Sequence, residues 1–591
     1  MIHRLLASLP LLAASAVALP TAADYRFDYV IVGGGTSGLV VAHRLSELSN
    51  ITVAVIEAGD SVYDNPNVTN VDGFGLALGT QIDWAYESSP QTFANGRSQT
   101  LRAAKALGGS STINGMYYAR AQNVQIDSWA ALGNEGWSWE ELLPYYKKSE
   151  HIQPPNSEQQ ATGVTYLPEF HGTDGPLAVG WKLDMMNKTI TDIINKTHEV
   201  IGVPYNTDLA SGHMVGWAFS EHTQDNELNV REDAARAYYW PFTSRKNYRL
   251  FLNTEAQKLV WHDAAPGADA KASGVLVTDS NTGESRTIYA NKEVILSAGA
   301  VRTPVLLELS SVGNPSVLVA AGIDVTIDLP TVGENLQDQA LNSYEGASAA
   351  PFSGRSSYVA YPDYEHVFGD DASSIAEEVK SNLRAYAQAV SNSTGGVVTA
   401  AQLETFFQIQ YDHIFAQKIP VGEAMLLPAG SSFGNSYWGL LPFARGSVHV
   451  TGTEGAYAAK LDPKYFMLDF DTTLQVAMTK YMRAFYNAAP LGELFAEETT
   501  PGLEAVPAGA GDEVWAQWVH ENYRSNFHSV GTTAMMSREL GGVVDSRLRL
   551  YGASNVRVVD AGVIPLQICG HLVGTLYAVA EKAADLIKAD A

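Results

Sequence analysis

Residues 28–60 constrain this chain more than any other stretch. Tyr29–Val32 reads as a short apolar strand, Gly33–Gly38 as a glycine turn, and Ser37–Leu48 carries apolar residues at helical spacing. Thr52–Ile56 reads as a second strand, closed by Glu57. A strand, a turn of the form Gly33-x-Gly35-x-x-Gly38, a helix and a second strand ending in an acid is an arrangement that binds a dinucleotide. Gly33 permits the tight turn, Gly35 lets backbone approach a pyrophosphate, and Gly38 lets helix and strand pack closely. The helix N-terminus offers amide donors to phosphate. Glu57 is placed to accept hydrogen bonds from ribose hydroxyls, which makes NADP the least suited dinucleotide. The motif does not separate NAD from FAD, and without a ligand the same stretch is a glycine-rich βα turn.

Similar character recurs later. Arg249–Val260, Ser273–Val277 and Glu293–Ser297 read as strands, the last followed by a helix from Thr303. Val556–Val559 is a strand followed by a helix from about Leu572 to Ala589. Helices are also expected at 138–150, 186–200, 372–390, 401–418 and Thr473–Ala488, with a strand at Phe466–Phe470. The expected fold class is α/β: a Rossmann-like cofactor domain built from 24–115, 228–340 and 529–591. Interleaved with it is an α+β substrate-binding domain built from 116–227 and 341–528. The 591 residues suffice for both.

The exterior is that of an exported protein. His3 and Arg4 precede an apolar run, Leu5–Ala18, with small residues beyond it, so 1–23 reads as a signal peptide and the protein as secreted. Five Asn-x-Thr sequons, at Asn50, Asn67, Asn187, Asn195 and Asn392, are expected surface glycosylation sites. A formal net charge of −26 repels phosphate backbones and anionic lipid, so neither nucleic acid nor membrane is an expected partner. The single cysteine, Cys569, excludes an intrachain disulfide and a zinc site of paired thiolates, and no metal is expected.

Three further segments carry chemistry. Ala106–Gly115 holds Gly108, Gly109, Ser110, Asn114 and Gly115, small and polar groups that admit a flat ring or a phosphate but also suit a plain loop. His528, after Arg524 and Asn526, and His571 lie in otherwise apolar sequence. A histidine is suited to take the proton of an alcohol as hydride leaves its carbon, and a second imidazole can hold the hydroxyl. Gly430-Ser-Ser432-Phe-Gly434 satisfies the nucleophile motif of serine hydrolases, but Pro428 and Tyr437–Pro442 do not supply the strand and helix that motif needs.

Together these segments resemble the glucose–methanol–choline (GMC) oxidoreductases, a family of FAD enzymes. Tyr29–Gly38 with Glu57-Ala-Gly59 resembles its FAD fingerprint, and Leu107–Gly115 and Ser297–Ser310 resemble its two signatures. Val332–Asp338, Asn229–Arg236 and the histidine pair match further motifs, so the likeness runs from about Asp28 to Ala589. Within the family, Ser111–Met116, Leu132–Trp137 and Arg524–His528 resemble fungal FAD-dependent glucose dehydrogenases, with glucose oxidases next.

The resemblance implies roles. His528 is the expected base for the C1 hydroxyl of a sugar, and His571 the group that hydrogen-bonds the same hydroxyl. Hydride would pass to flavin N5, giving a 1,5-lactone. Arg524 and Asn526 would contact the sugar, Glu423 would hydrogen-bond the second histidine beside it, and Trp438 would form an aromatic wall of the pocket. Gly33, Gly35, Thr36, Gly38 and Glu57 would hold the ADP part of FAD, with Ala256 at the adenine. Arg102, Gly108, Gly109, Ser110, Asn114, Gly115 and Met116 would follow the pyrophosphate and ring. Asp560 and Ala561 would lie by the ribityl chain, and His571 and Leu572, opening a helix, would aim its N-terminus at flavin O2.

The first signature lacks the histidine to which some relatives attach FAD, so the cofactor is expected to be non-covalent. Ser436 stands where nearby glucose enzymes have an acid. The expected electron acceptor is a quinone-type compound; an oxidase using O2 is the near alternative. A hydroxynitrile lyase, a serine hydrolase and a non-catalytic flavin binder are distant ones. Either a monomer or a homodimer is compatible with the sequence.

Overall fold

The computed structural model of the chain describes residues 25–263, 268–453 and 458–591, so the expected signal peptide lies outside the described residues. Two sheets organise them. The first has seven strands. Tyr248–Phe251, Val53–Ile56, Arg26–Val32 and Ser285–Leu296 run parallel in that order. The end of Ser285–Leu296 also pairs in parallel with Val556–Val558, and its beginning joins an antiparallel meander with Ala272–Asp279 and Thr254–Trp261. Tyr29–Val32, Val53–Ile56 and Val294–Leu296 are buried throughout, which is why they read as continuous apolar runs: a parallel sheet is covered on both faces. The helices Thr36–Ser46 and Leu572–Asp590 pack against each other.

The second sheet has six antiparallel strands. Gly216–Phe219, Tyr358–Tyr361, Gly422–Gly439 and Ala340–Phe352 lie side by side, and both Phe495–Thr500 and Arg524–Ser525 pair with Ala340–Phe352. The strands of the first sheet all fall within 24–115, 228–340 and 529–591. Those of the second fall within 116–227 and 341–528, apart from Ala340 itself.

Several elements differ from expectation for local reasons. The single strand expected at Arg249–Val260 is two strands at opposite ends of the first sheet, broken at Asn253, whose φ is 48°. Phe466–Phe470 is not a strand: Phe466 has φ 60°, and a helix begins at Asp469. The helix expected at 401–418 is α-helical over Ala400–Tyr411 and widens into a π turn, Asp412–Ala416. Gly422–Gly439 has no counterpart in the sequence reading, because Pro428 and Gly430 interrupt its pattern. Pro428 is tolerated there since pairing with Tyr358–Tyr361 has ended at Leu426. Ser432 lies inside this strand, exposed, donating to the Ala429 carbonyl at 3.0 Å. That is no strand–turn–helix elbow, and it removes the hydrolase reading.

Of the sequon asparagines, Asn50, Asn187 and Asn392 are exposed and Asn67 and Asn195 half-buried. Asn187 Oδ1 caps the helix Lys188–Val200, leaving its Nδ2 without a partner among the described residues. Cys569 is fully buried, its thiol donating to the Pro420 carbonyl at 3.4 Å. Among the described residues no helix is long and apolar enough to cross a membrane.

Candidate active site

A cavity of about 540 Å³ opens where the two sheets meet. Gly33, Gly35, Thr36, Glu57 and Ala256 line it at one end. Arg102, Gly109, Ser110, Asn114, Gly115, Met116, Asp560 and Ala561 continue the lining. Arg524, Asn526, His528, His571, Leu572 and Ser436 also contribute. Residues 538 positions apart in sequence thus share one wall: the fingerprint turn at Gly33 and the second histidine at His571.

The fingerprint end is built from backbone at close quarters. Gly33 has φ 106°, and a Cβ there would stand 2.3 Å from the Ser297 carbonyl oxygen; at Gly38 it would stand 2.0 Å from the carbonyl oxygen of Gly33. Gly38 therefore serves the packing of helix on strand and does not line the cavity. The two glycine loops touch: a Cβ on Gly109 would come within 2.5 Å of Gly35 Cα, and Gly108 N donates to the Gly34 carbonyl at 2.8 Å. Gly108 also lies behind the wall, facing Thr112 and Asp233.

The helix Thr36–Ser46 begins at Gly35 with no side-chain cap and no acid in its first turn, so its leading amides are available to an anion. Glu57 accepts from Gly34 N at 2.9 Å and Gly59 N at 2.7 Å, and burial pushes its carboxyl up to about 7. Asp560 anchors the second signature, accepting from Thr303 Oγ1 at 2.6 Å and Gly299 N at 2.9 Å, and also from Gly562 N at 2.8 Å.

The motif Asn229–Arg236 proves to be a clamp. Arg231 donates to Asn114 O and Oδ1 at 2.8 and 2.7 Å and to Val68 O at 2.8 Å, which fixes the second glycine loop. Asp233 caps the helix Ala234–Tyr238.

At the other end the two imidazoles face each other, ring centroids 5.2 Å apart and planes at 88°. Val332–Asp338 is the scaffold for the first. Asp338 accepts from His528 N at 2.8 Å and from Ser525 Oγ, and Tyr465 donates its hydroxyl proton to the same carboxylate. Phe527, just before His528, is held at φ 64°, a left-handed conformation that only a well-determined neighbourhood sustains.

A residue that sequence reasoning missed completes the arrangement. Gln339 donates through Nε2 to the Leu440 carbonyl at 2.9 Å, which turns its Oε1 toward His528. That oxygen lies 2.8 Å from His528 Nδ1 and accepts from Asn526 Nδ2 at 3.0 Å. Nδ1 has a second neighbour, Asn526 Nδ2 at 3.0 Å, a donor already engaged by the same Gln339 oxygen; with the shorter Gln339 bond formed, an amide oxygen only accepts and Nδ1 carries the proton. The lone pair of the neutral ring is then on Nε2, which has no partner among the described residues. The one available signal was position: Gln339 directly follows the Val332–Asp338 motif. Burial, reinforced by His571, holds the His528 ring well below the usual imidazole range and therefore neutral.

His571 places Nε2 2.8 Å from Glu423 Oε1, at ion-pair distance but outside hydrogen-bonding angle. Glu423 is fully buried and does not line the cavity, so it supports the histidine and does not reach substrate. Trp438 also differs from expectation. It is fully buried, lies edge-on to both imidazoles at 6.2 and 5.8 Å, and forms the layer behind them, not the cavity wall. From the same strand, Met425, Leu427 and Ser436 do line the cavity.

Comparison with known proteins agrees with this geometry. Two models described as GMC oxidoreductase match residues 27–341 and 442–580. The glucose oxidase-like protein fsoC of Humicola fuscoatra is 42% identical over 95% of both chains. A glucose oxidase of Aspergillus carbonarius is 36% identical over 95% of this chain and 92% of its own. In structure, an FAD-dependent oxidoreductase from Chaetomium thermophilum superposes with a TM-score of 0.87 at 27% identity, covering 95% of this chain and 99% of that one. With the family models spanning both halves of the cavity, the chain belongs to the GMC oxidoreductase family.

Proposed function

We propose that this protein is a secreted oxidoreductase with dissociable FAD that oxidises the C1 hydroxyl of an aldose, D-glucose to glucono-1,5-lactone in the simplest case. Its electrons go to a quinone-type acceptor. The observation that carries this reading is the paired imidazoles, with the Nε2 lone pair of His528 free, lining the same cavity as the dinucleotide fingerprint.

The residues present fit FAD: the open N-terminus at Thr36, the backbone cradle of Gly33, Gly35 and Gly109, and Glu57 with a lone pair to spare on each oxygen. When bound, the flavin accepts hydride at N5. Everything else falls to the protein. His528 Nε2 takes the hydroxyl proton, and the proton on Nδ1 stays shared with Gln339 Oε1. His571, steadied by Glu423, completes the hydroxyl site. The helix Leu572–Asp590 starts at His571 without a side-chain cap, so its leading amides favour negative charge beside the pair.

Anaerobic addition of aldoses to the purified yellow protein is the direct test: sugar bleaches it, and the product hydrolyses to the aldonic acid. Failure of every aldose, with bleaching by an aryl alcohol instead, would move the substrate class. The named glucose oxidases among the relatives favour a second reading, in which O2 is the acceptor. Mixing the bleached protein with O2 and then with a quinone separates the two.

The protonation state of His528 sets a pH dependence. The neutral ring is the active form, and its pKa lies well below 6.5. The acid limb of substrate oxidation is therefore expected well below pH 6.5, with the rate flat across the range where a solvent-exposed histidine titrates. A pH profile of single-turnover bleaching checks this; an inflection at 6.5 would contradict it.

A further inference from the structure

We propose that the substrate carries a carboxylate, held by Lys182 and Arg524 at the histidine end of the cavity. Among aldoses, a hexuronic acid would then be preferred to glucose. The inference rests on the C1 oxidation proposed above and names its substrate class.

The cavity is lined by four arginine and lysine side chains, and they divide into two kinds. Arg102 is neutralised by Asp83 at 2.7 Å and Arg302 by Glu255 at 3.0 Å. Lys182 and Arg524 have no carboxylate within 4.0 Å among the described residues. The lysine ammonium has only the face of Tyr117, 5.7 Å from the ring centroid. The one acid that raises its affinity for a proton, Asp72, is engaged by Arg355 at 2.6 Å. The guanidinium of Arg524 has only the Ser525 carbonyl, at a long 3.5 Å, and the Phe527 ring at 5.5 Å. Both side chains are partly buried and line the same cavity as His528. Cations withdrawn from water without an acid are costly, and a bound anion removes that cost. In keeping with this, burial pulls the Lys182 ammonium down to about 8 and lowers Arg524 as well.

Lys182 is tied to the histidine site through one aromatic ring: Tyr117 stacks on His571 at 5.2 Å and carries the ammonium 5.7 Å from its centroid. Ser436, one of the second-sheet residues lining the cavity, adds a hydroxyl and no competing charge. The net charge of −26 does not oppose binding, because exposed charges beyond about 8–10 Å are screened at physiological salt while the local pair is not.

The test compares D-glucuronate with its neutral methyl ester, reading kcat/KM in the intact holoenzyme. The free acid is expected to be favoured about 10–10²-fold, the scale of hydrogen bonds between charged groups. That ratio collapses toward one in Lys182→Met and survives in Lys182→Arg. Binding supplies an independent reading. Methyl glucuronoside, blocked at C1, raises the Tm of the native holoenzyme more than methyl glucoside does, and the difference disappears in Lys182→Met.

Equal kcat/KM for acid and ester, a preference that persists in Lys182→Met, or loss of FAD from that variant would each overturn the proposal. If no aldose is oxidised, yet 4-carboxybenzyl alcohol outperforms benzyl alcohol through Lys182, the carboxylate site stands and the C1 reading falls.

Discussion

Replacing His528 with alanine lowers the rate of anaerobic bleaching by substrate about 10²–10⁴-fold, the usual contribution of a positioned general base, while the protein keeps its FAD. The two parts of this expectation have separate structural origins. The base function rests on one nitrogen, Nε2, whose lone pair is defined by the proton on Nδ1 and by a ring kept neutral through burial. FAD retention rests on other residues. The glycine loops, Glu57 and Asp560 are held by their own backbone bonds and none of them touches His528. Among the described residues the imidazole has two side-chain hydrogen-bond neighbours, Gln339 and Asn526. Its removal therefore leaves the His528 backbone anchored through Asp338 and Gln567, at 2.8 and 3.0 Å. Stopped-flow reduction and the visible spectrum of the variant give both readings. Rapid bleaching in the variant would remove His528 from the base role.

The second large effect is expected at Gln339. Gln339→Leu removes the acceptor of the Nδ1 proton, the partner of Asn526 Nδ2 and the donor to Leu440. Buried groups left unpaired cost ~1–3 kcal/mol, and the ring loses the bond that selects its tautomer. The rate of substrate oxidation should fall about 10–10²-fold, by conversion of that energy at ~1.4 kcal/mol per factor of ten, with little change in substrate affinity, because Gln339 does not line the cavity. A matching rise in KM with an unchanged limiting rate would show that Gln339 serves binding instead. The variant also separates Gln339 from His528: an alanine at 528 leaves no tautomer to select, so adding Gln339→Leu to it should cost almost nothing more.

What was legible in the sequence follows the range of the interactions involved. The fingerprint at Gly33–Glu57 could be read because its parts lie within one β-α-β unit and their spacing is their function. The histidines could be singled out because polar residues stand out in apolar sequence. Gln339 and His528 lie 189 positions apart and meet only because Arg524–Ser525 pairs with Ala340–Leu341 in the second sheet. No periodicity encodes such a meeting. Lys182 was passed over for the same reason: its distinction is the absence of an acid nearby, a property of the folded neighbourhood. Glu423 and Trp438 were read as pocket residues because proximity in a motif does not reveal depth, and both sit one layer back. The strand Gly422–Gly439, which carries them, was hidden by Pro428 and Gly430.

The chain's path between its sheets has a practical consequence. It runs through the first sheet at 26–56, the second at 216–219, the first again at 248–296, the second at 340–525 and the first at 556–558. Neither half is a continuous polypeptide, so neither can be severed at a single cut and kept as a working module. Transplanting the substrate-facing half from a relative would need two inserts and four matched seams. Changing selectivity is therefore a matter of individual side chains, with Lys182, Ser436 and Arg524 the natural places to begin.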